Sequence, residues 1–332
     1  MEKAIRERYN DEILQEAQRR YGISPDQIRL LDGFESFMFE FESDGRARIL
    51  RLSHSIRRSV ELIQGEVDWL NYLYDGGVGV ARAVPSKAGE LVEIITDGRD
   101  GQFLATAFAK APGGPSWENG KWNEALFERY GRLVGRMHAL SRVYEPSNPA
   151  WRRPEWDHPS NVDEILAWIP DSQTMVRKRA TAFLHYLHAL PQDNDSYGLI
   201  HQDAHAGNFF VDDKGDITLF DFDDCVYGWY VYDIAMVVFY AITNHEDPVG
   251  FGTVFWRHFW RGYQQENTLD PAWLAEMPAF FKLREIDLYA IIHRSFDMDN
   301  LTDRWVAQFM DGRRERIEQD IPYLDIDFTQ LV

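Results

Sequence analysis

The chain has 332 residues, 45% of them hydrophobic, which is enough to bury one large core or two smaller ones. Its net charge of −19 excludes non-specific binding to nucleic acid or to anionic membranes as a main activity. A single cysteine, Cys225, excludes an intrachain disulfide and predicts a reducing, cytoplasmic location. No secretory signal or membrane-spanning apolar run is visible, so we expect no membrane partner. The sequence gives no indication of the oligomeric state.

The first 110 residues are predicted to form a β-rich lobe. Apolar residues at helical spacing indicate a leading amphipathic helix over residues 3–20 and a second helix over 59–74. Between them, Ser43-Asp44-Gly45 has the composition of a hairpin turn. Strands are expected at residues 28–34, 37–42, 46–52, 80–84, 91–95 and 103–108.

The segment Ala111-Pro-Gly-Gly-Pro115 is the strongest break in the pattern and predicts a hinge near residues 108–115. Beyond it the spacing becomes helical, except for a strand-and-loop block at 197–224. We therefore predict an α+β protein with a β-rich lobe at 1–110 and a larger, mainly helical lobe at 111–332. Helices are expected at 121–141, 161–169, 173–189, 230–243, 249–265 and 275–310.

Polar side chains follow two short apolar runs within that block. His201, Asp203 and Asn208 come after Leu199–Ile200 in the pattern H-x-D-x-x-x-x-N, and Asp221 follows thirteen residues after Asn208. A carboxylate in a tight loop can accept the proton of a hydroxyl group. An amide oxygen and a second carboxylate are ligands that suit Mg²⁺. One base and two metal ligands are the parts needed to transfer a phosphoryl group.

The order of these motifs resembles the aminoglycoside phosphotransferase/choline kinase family, which has a protein-kinase-like fold. The matching segments read H-Q-D-A-H-A-G-N at 201–208, F-D-F at 220–222 and Y-D-I-A at 232–235, and the resemblance covers about residues 25–300. The resemblance implies a bilobal fold with a small antiparallel β-rich N-lobe that carries one key helix, and a larger helical C-lobe. The D-F-D-D form favours the homoserine-kinase-like or stress-kinase branch.

The resemblance also assigns roles to the motif residues. Asp203 corresponds to the catalytic base that receives the substrate hydroxyl, and Asn208 and Asp221 correspond to the Mg²⁺ ligands. His201 and Asp233 correspond to supporting residues that hold the loop by hydrogen bonds.

On the nucleotide side, the resemblance implies that Arg51 on the third strand binds phosphate and pairs with Glu66 on the next helix. The phosphate loop would be residues 33–38, where Ser36 and backbone N–H groups contact the triphosphate. This loop has one glycine and does not match G-x-G-x-x-G. Strand alternation alone leaves open that Arg51 is an outward-facing charge. The adenine is expected to contact the segment that contains Phe108, Ala109 and Ala111.

The predicted function is ATP- and Mg²⁺-dependent transfer of the γ-phosphate to a hydroxyl of a small molecule, such as an amino alcohol, an aminoglycoside or a homoserine-like compound. One alternative is a kinase-like binding or regulatory module without turnover. Another is a metal-dependent hydrolase that uses His201, Asp203 and His205 with Asp221 or Asp223, because mixed His and carboxylate ligands suit Zn²⁺. The candidate substrate contacts are His205, Asp223, Asp224 and Trp229.

Overall fold

A computed structural model describes residues 3–31, 33 and 35–331, so the predicted strand end at Phe34 lies outside the described residues. The chain groups into two compact units. The first unit contains the chain up to Gly114 together with Tyr144–Arg153 and Phe210–Asp223. The second unit contains Pro115–Val143, Pro154–Phe209 and the chain from Asp224 onward. The division into lobes at 1–110 and 111–332 stays a prediction, and the observed units add two later segments to the N-terminal part.

Helices and strands have the following bounds. The helices are α1 (Lys3–Arg6), α2 (Asp11–Tyr21), α3 (Val60–Asp75), α4 (Glu124–Ser141), α5 (Pro159–Trp168), α6 (Thr174–His188), α7 (Tyr230–Ile242), α8 (Pro248–Tyr263), α9 (Met277–Ser295), α10 (Arg304–Met310) and α11 (Arg313–Glu318). The strands are β1 (Ile28–Leu31), β2 (Phe37–Ser43), β3 (Arg46–His54), β4 (Ala83–Val84), β5 (Glu93–Thr96), β6 (Gln102–Ala109), β7 (Gly114–Pro115), β8 (Tyr197–Ile200), β9 (Phe209–Val211), β10 (Ile217–Leu219) and β11 (Val226–Trp229).

The first unit is built on an antiparallel sheet in the order β1-β2-β3-β6-β4, with β5 paired to β6. The predicted hairpin turn is present, because Asp44 and Gly45 both have positive φ, at 53° and 68°, as a tight two-residue turn requires. Apolar side chains of the sheet pack against α2 to form one core. This core contains Ile5, Ile13, Ala17, Tyr21, Ile23, Phe39, Phe41, Leu50, Leu52, Ile95, Phe103, Ala105 and Ala107.

Two predicted helices are each divided by an N-cap residue that begins a new helix. The leading helix stops at Arg6, and α2 begins after Asn10, whose side chain accepts a hydrogen bond from the backbone N–H of Ile13. The long helix predicted at 275–310 likewise ends at Ser295, and α10 begins after Asp303. The predictions of continuous helices at 3–20 and 275–310 were therefore wrong. Apolar residues continue at helical spacing past the point where a side-chain cap begins a new helix.

The second unit is mainly helical, with β8 and β11 paired antiparallel beside α7. Helices α4 and α8 approach so closely that two contact positions accept only glycine. A Cβ added to Gly131 would lie 1.9 Å from the carbonyl oxygen of Phe259, and one added to Gly262 would lie 1.9 Å from that of Glu128. The second core packs α5, α6 and α11 against α9 through Ile165, Ile169, Val176, Ala180, Ile286, Tyr289, Ala290 and Ile317.

The prediction of an α+β fold, with an antiparallel sheet near the N-terminus and helices in the C-terminal part, is confirmed. Three short strands, β7, β9 and β10, form a further small sheet. In the part of the chain that the structure describes, no helix combines the length and the apolar character needed to cross a bilayer. His201 and Asp203 follow the end of β8, and Asp221 follows the end of β10, where the backbone leaves its regular hydrogen bonding and can present polar side chains.

Candidate active site

The loop that follows β8 is held from below by one buried carboxylate. Asp233 on α7 is fully buried, and its two carboxylate oxygens accept hydrogen bonds from the backbone N–H groups of His201, at 2.9 Å, and Gln202, at 2.7 Å. The second of these residues adopts a φ of 70°, a conformation that is strained for a residue with a side chain. The support that was expected from Asp233 is thus observed as two direct contacts with the loop backbone.

Further buried groups complete this support. The side chain of His201 is fully buried, and its Nδ1 accepts a hydrogen bond from the backbone N–H of Asp203 at 3.3 Å. Tyr130 donates its hydroxyl to the carbonyl oxygen of Ala204. Below them, Nε2 of His138 lies 3.1 Å from Asp233 Oδ2, and burial lowers the pKa of this histidine. The loop therefore rests on a buried polar network.

Asp203 lies on the open side of the loop, with its side chain 24% exposed. Its Oδ1 accepts a hydrogen bond from Arg284 at 2.8 Å, and its Oδ2 lies 3.2 Å from Asn208 Nδ2 and 3.4 Å from His205 Nε2. Burial acts to raise the pKa of Asp203, but Arg284 and His205 outweigh it and hold this pKa well below its usual range. The carboxylate is thus charged and accessible, as a group that accepts the proton of a hydroxyl must be.

Asn208 ends a single 3₁₀ turn, Ala206–Asn208, and its amide orientation is set by Asp203. Its Nδ2 donates to the backbone oxygen of Asp203 at 2.9 Å and to the carboxylate at 3.2 Å. Because the NH₂ group is used in these contacts, the amide oxygen points elsewhere and has the donor chemistry that a hard cation prefers. The structure thus places Asp203 and Asn208 together.

Sequence reasoning did not identify Arg284 as a site residue. It lies on α9, and besides Asp203 it contacts Asp287 through Nη1 at 2.6 Å and the Tyr240 hydroxyl through Nε at 3.1 Å. The guanidinium carbon is also 5.2 Å from the centre of the Tyr240 ring. The spacing of Arg284 and Asp287 indicates a pair on one helix face, but nothing in the sequence relates that face to a loop 81 residues earlier.

In the first unit, Arg51 and Glu66 form a buried bidentate pair. Nη1 and Nη2 of the arginine donate to the two carboxylate oxygens at 2.8 and 2.6 Å, and the side chains are 6% and 1% exposed. The arginine also lies over the ring of Phe108, 5.0 Å from its centre. The expected pairing is therefore observed, and Arg51 is not an outward-facing strand charge.

The turn after β10 carries the remaining carboxylates. Asp221 is exposed and has a φ of 68°, so a residue with a side chain occupies a conformation that favours glycine. Asp223 is buried against Arg57 and Arg58, and its backbone oxygen accepts a hydrogen bond from Arg153 at 2.7 Å. Burial raises the pKa of Asp223, but these arginines together hold it well below its usual range. Asp223 thus balances an arginine cluster of the first unit.

The other predicted site residues have varied surroundings. Ser36 is buried with its hydroxyl 3.1 Å from that of Ser53. Ala109 lies at the end of β6 and donates its backbone N–H to Arg82, while Ala111 is buried beyond the strand. Trp229 is fully buried and donates its indole N–H to Pro191. His205 packs against Tyr240 with ring centres 4.5 Å apart and ring planes tilted by 40°, and Asp224 is half-buried at the start of a segment of the second unit.

The residues assigned to the metal fit a magnesium-type ion. The exposed carboxylate of Asp221 and the amide oxygen of Asn208 are hard oxygen donors, and Mg²⁺ commonly binds one or two protein ligands and completes its shell with phosphates and water. Within the described ranges, no three His, Cys, Asp or Glu side chains cluster as a protein-built metal centre would require. The zinc-hydrolase alternative lacks support for this reason, and because His201 uses its Nδ1 within the loop.

Comparison with known proteins gives three concordant findings. The model of the phosphotransferase enzyme family (APH) matches residues 26–276. Amicoumacin kinase from Bacillus subtilis (strain 168) is 39% identical over 328 residues, which cover 98% of this chain and 96% of that protein. Among solved structures, amicoumacin kinase hAmiN in complex with AMP-PNP, Ca²⁺ and Ami has a TM-score of 0.94, 37% identity and 100% coverage of both chains.

A microcompartment-associated aminopropanol kinase is a more distant structural relative. It has a TM-score of 0.75 and 25% identity, and the similarity covers 97% of this chain and 100% of that chain. The likeness therefore extends over nearly the whole chain and is not confined to the motifs at 201–208 and 220–222.

Proposed function

Because the chain belongs to the phosphotransferase enzyme family, we propose that it transfers the γ-phosphate of ATP to a hydroxyl group of a small molecule, with Mg²⁺ as the divalent cation. The predictions of the family, of the protein-kinase-like α+β fold and of a kinase activity are confirmed. The ATP requirement, the choice of cation, the acceptor and the residue roles are the proposed part.

The single observation that carries the proposal is the environment of Asp203. A charged, partly exposed carboxylate is oriented by Arg284 on one oxygen and keeps longer contacts on the other. Such a group accepts a hydrogen bond from a hydroxyl and aligns the hydroxyl oxygen for attack on phosphorus. As the new P–O bond forms and the bond to the leaving diphosphate breaks, the hydroxyl proton passes to this carboxylate.

The remaining roles follow from the chemistry of the side chains. Arg51, fixed by Glu66, presents a cationic group for a phosphate oxygen, and among the described residues no group accepts a hydrogen bond from its Nε. Asn208 and Asp221 would hold the cation. When bound, Mg²⁺ neutralises charge on the phosphate oxygens. From the family resemblance we infer that the adenine contacts Phe108, Ala109 and Ala111, and that Ser36 lies on the phosphate side.

For the acceptor, we propose a hydroxyl compound that also carries an amine. The relatives are named as kinases of amicoumacin and of aminopropanol, and the second name denotes an amino alcohol. The net charge of −19 favours the approach of a cationic molecule. Trp229 is fully buried, so it is not assigned a substrate contact, whereas His205 is partly exposed beside Asp203 and retains one.

The test is acceptor-dependent release of ADP by the purified protein with ATP and Mg²⁺. The acceptors are amicoumacin, aminopropanol, ethanolamine, choline, homoserine and an aminoglycoside, and phosphorus NMR identifies the product as a phosphate ester. Asp203→Asn is expected to lower kcat by about 10²–10⁴-fold, because the general base is lost. Asp221→Asn should raise the Mg²⁺ concentration needed for half-maximal turnover, because a carboxylate ligand of the cation is lost.

Asp212→Asn is the matched control for removing a carboxylate. Asp212 lies in the turn between β9 and β10, nine residues before Asp221, and its side chain accepts hydrogen bonds from the backbone N–H groups of Lys214 and Asp216. This variant should retain wild-type turnover. Nucleotide binding without an ester product from any acceptor would favour the binding-module alternative, and release of inorganic phosphate from an ester with stoichiometric zinc would favour the hydrolase.

A further inference from the structure

We propose that Arg284 is a positioning residue for the phosphate acceptor: it fixes the carboxylate of Asp203 so that Oδ2 faces the incoming hydroxyl. The inference rests on the proposed function, in which Asp203 is the base. It adds a residue from α9, far along the chain from every motif that identified the site.

The two carboxylate oxygens of Asp203 have different partners. Oδ1 accepts a charge-assisted hydrogen bond from Arg284 at 2.8 Å. Within the described part of the chain, Oδ2 has the contacts with Asn208, at 3.2 Å, and with His205, at 3.4 Å. A hydroxyl therefore competes with weak contacts at Oδ2 and with a strong one at Oδ1. Tilting the carboxylate plane would break the hydrogen bond to the guanidinium, so Arg284 opposes that movement and keeps the second oxygen in place.

Arg284 is itself held in place by its neighbours. Its side chain is 11% exposed and is held by Asp287 at 2.6 Å and by the Tyr240 hydroxyl at 3.1 Å, with the ring of Tyr240 on one face. A guanidinium meets these partners simultaneously because its donors form a planar fork. A lysine carries the charge on one flexible point and cannot satisfy the same set.

Phosphoryl transfer is sensitive to the position of the attacking hydroxyl. The transition state of phosphoryl transfer is loose in most analyses, so catalysis depends mainly on placing the hydroxyl in line with the phosphorus. A displacement of about 1 Å in such a group can cost about 10²-fold in rate. A residue that holds the base in place should therefore affect kcat, with little effect on the binding of nucleotide.

The chain contains a matched control in Arg313 of α11, which also contacts α9. Arg313 is also 11% exposed, and it donates to Glu285 of α9 at 2.7 Å and to the backbone oxygen of Phe309 at 2.9 Å. Its guanidinium lies 4.3 Å from the centre of the Phe309 ring. Arg313 and Arg284 thus share burial, a carboxylate partner on α9 and an aromatic contact, but only Arg284 contacts Asp203.

The experiment compares Arg284→Met, Arg284→Lys and Arg313→Met in the full-length protein, with an acceptor that the wild type phosphorylates. Arg284→Met is expected to lower kcat by about 10²-fold, with the KM for ATP unchanged. Arg284→Lys should show an intermediate loss, and Arg313→Met should keep kcat near the wild-type value. Added ethylguanidinium should partly restore the rate of Arg284→Ala, a rescue that a purely structural role does not predict.

A crystal structure of Arg284→Met provides a readout besides activity, with the Asp203 carboxylate expected to rotate or to occupy two orientations. Equal kcat values for Arg284→Met and Arg313→Met would overturn the inference. If the wild type phosphorylates no acceptor, the proposed function has failed, and the crystal structure then decides the positional claim: an Asp203 side chain unmoved in Arg284→Met sinks it.

Discussion

In each compact unit, one arginine of the proposed site pairs with a carboxylate, and these two pairs differ in how they are completed. In the first unit, two nitrogens of Arg51 meet both oxygens of Glu66, and both side chains are nearly inaccessible. In the second unit, Arg284 divides its donors among three groups and gives Asp203 only one hydrogen bond. The first pair is closed, whereas the second leaves a carboxylate oxygen for another molecule.

The difference indicates how one chemical interaction serves two purposes. A bidentate pair without water is rigid, and its carboxylate has little capacity for further partners. A pair in which the carboxylate is 24% exposed can orient a group that must still react. The closed pair therefore holds the guanidinium of Arg51 in one position, as suits a residue proposed to anchor phosphate. The incomplete pair leaves one oxygen of Asp203 available, as suits a base.

Breaking the closed pair should produce the largest change in folding stability. Arg51→Met leaves Glu66 buried and uncompensated, so the free energy of unfolding should fall by about 3–5 kcal/mol. Urea unfolding measures this loss. In the double variant Arg51→Met/Glu66→Met the stability should largely return, because no charge is left buried, while binding of an ATP analogue stays weak. A double variant as unstable as the single one would contradict this view.

Breaking the open pair should cost less stability. Arg284→Met is expected to lower the free energy of unfolding by about 2 kcal/mol, because Asp203 and Asp287 retain some access to water and the Tyr240 hydroxyl can reorient. The same urea experiment measures it beside the Arg51 variant. Equal losses at the two sites would show that the second pair is as closed as the first.

The pH dependence of folding stability should reveal the buried network beneath the Asp203 loop. Burial lowers the pKa of His138, which contacts Asp233 beneath the Asp203 loop. The unfolded chain then binds more protons than the folded protein below about pH 6.5, so stability should fall as the pH drops through that value toward the lower folded-state pKa. Thermal unfolding from pH 7.5 to 5 measures the slope. His138→Gln should flatten it, and an unchanged slope would argue against the network.

His205 should give the smallest effect. It is 25% exposed and lies 3.4 Å from Asp203 Oδ2, a long contact beside a base that Arg284 already orients. His205→Asn is therefore expected to reduce kcat by no more than about tenfold. Steady-state kinetics with the best acceptor measure it. A loss as large as that of Asp203→Asn would make the histidine part of the reaction and would revive the metal-hydrolase alternative.

The sequence by itself determined the local features of this protein. The alternation of β2, the hairpin at Ser43–Gly45 and the spacing of the motif at 201–208 depend on neighbouring residues, and that motif placed Asp203 and Asn208 together. The pairing of Arg51 with Glu66 was expected from the family resemblance and not from the local pattern. The breaks before α2 and α10 were missed, because a cap such as Asn10 or Asp303 acts through one side-chain hydrogen bond that apolar periodicity does not detect.

Only the tertiary structure decided which distant groups surround the loop. Arg284 reaches Asp203 because α9 packs against α7, which in turn packs beside β8. The buried position of Trp229 and the arginines around Asp223 are likewise results of packing. Contacts between residues many positions apart depend on how helices and strands pack, and no pattern within a short window of sequence encodes that packing.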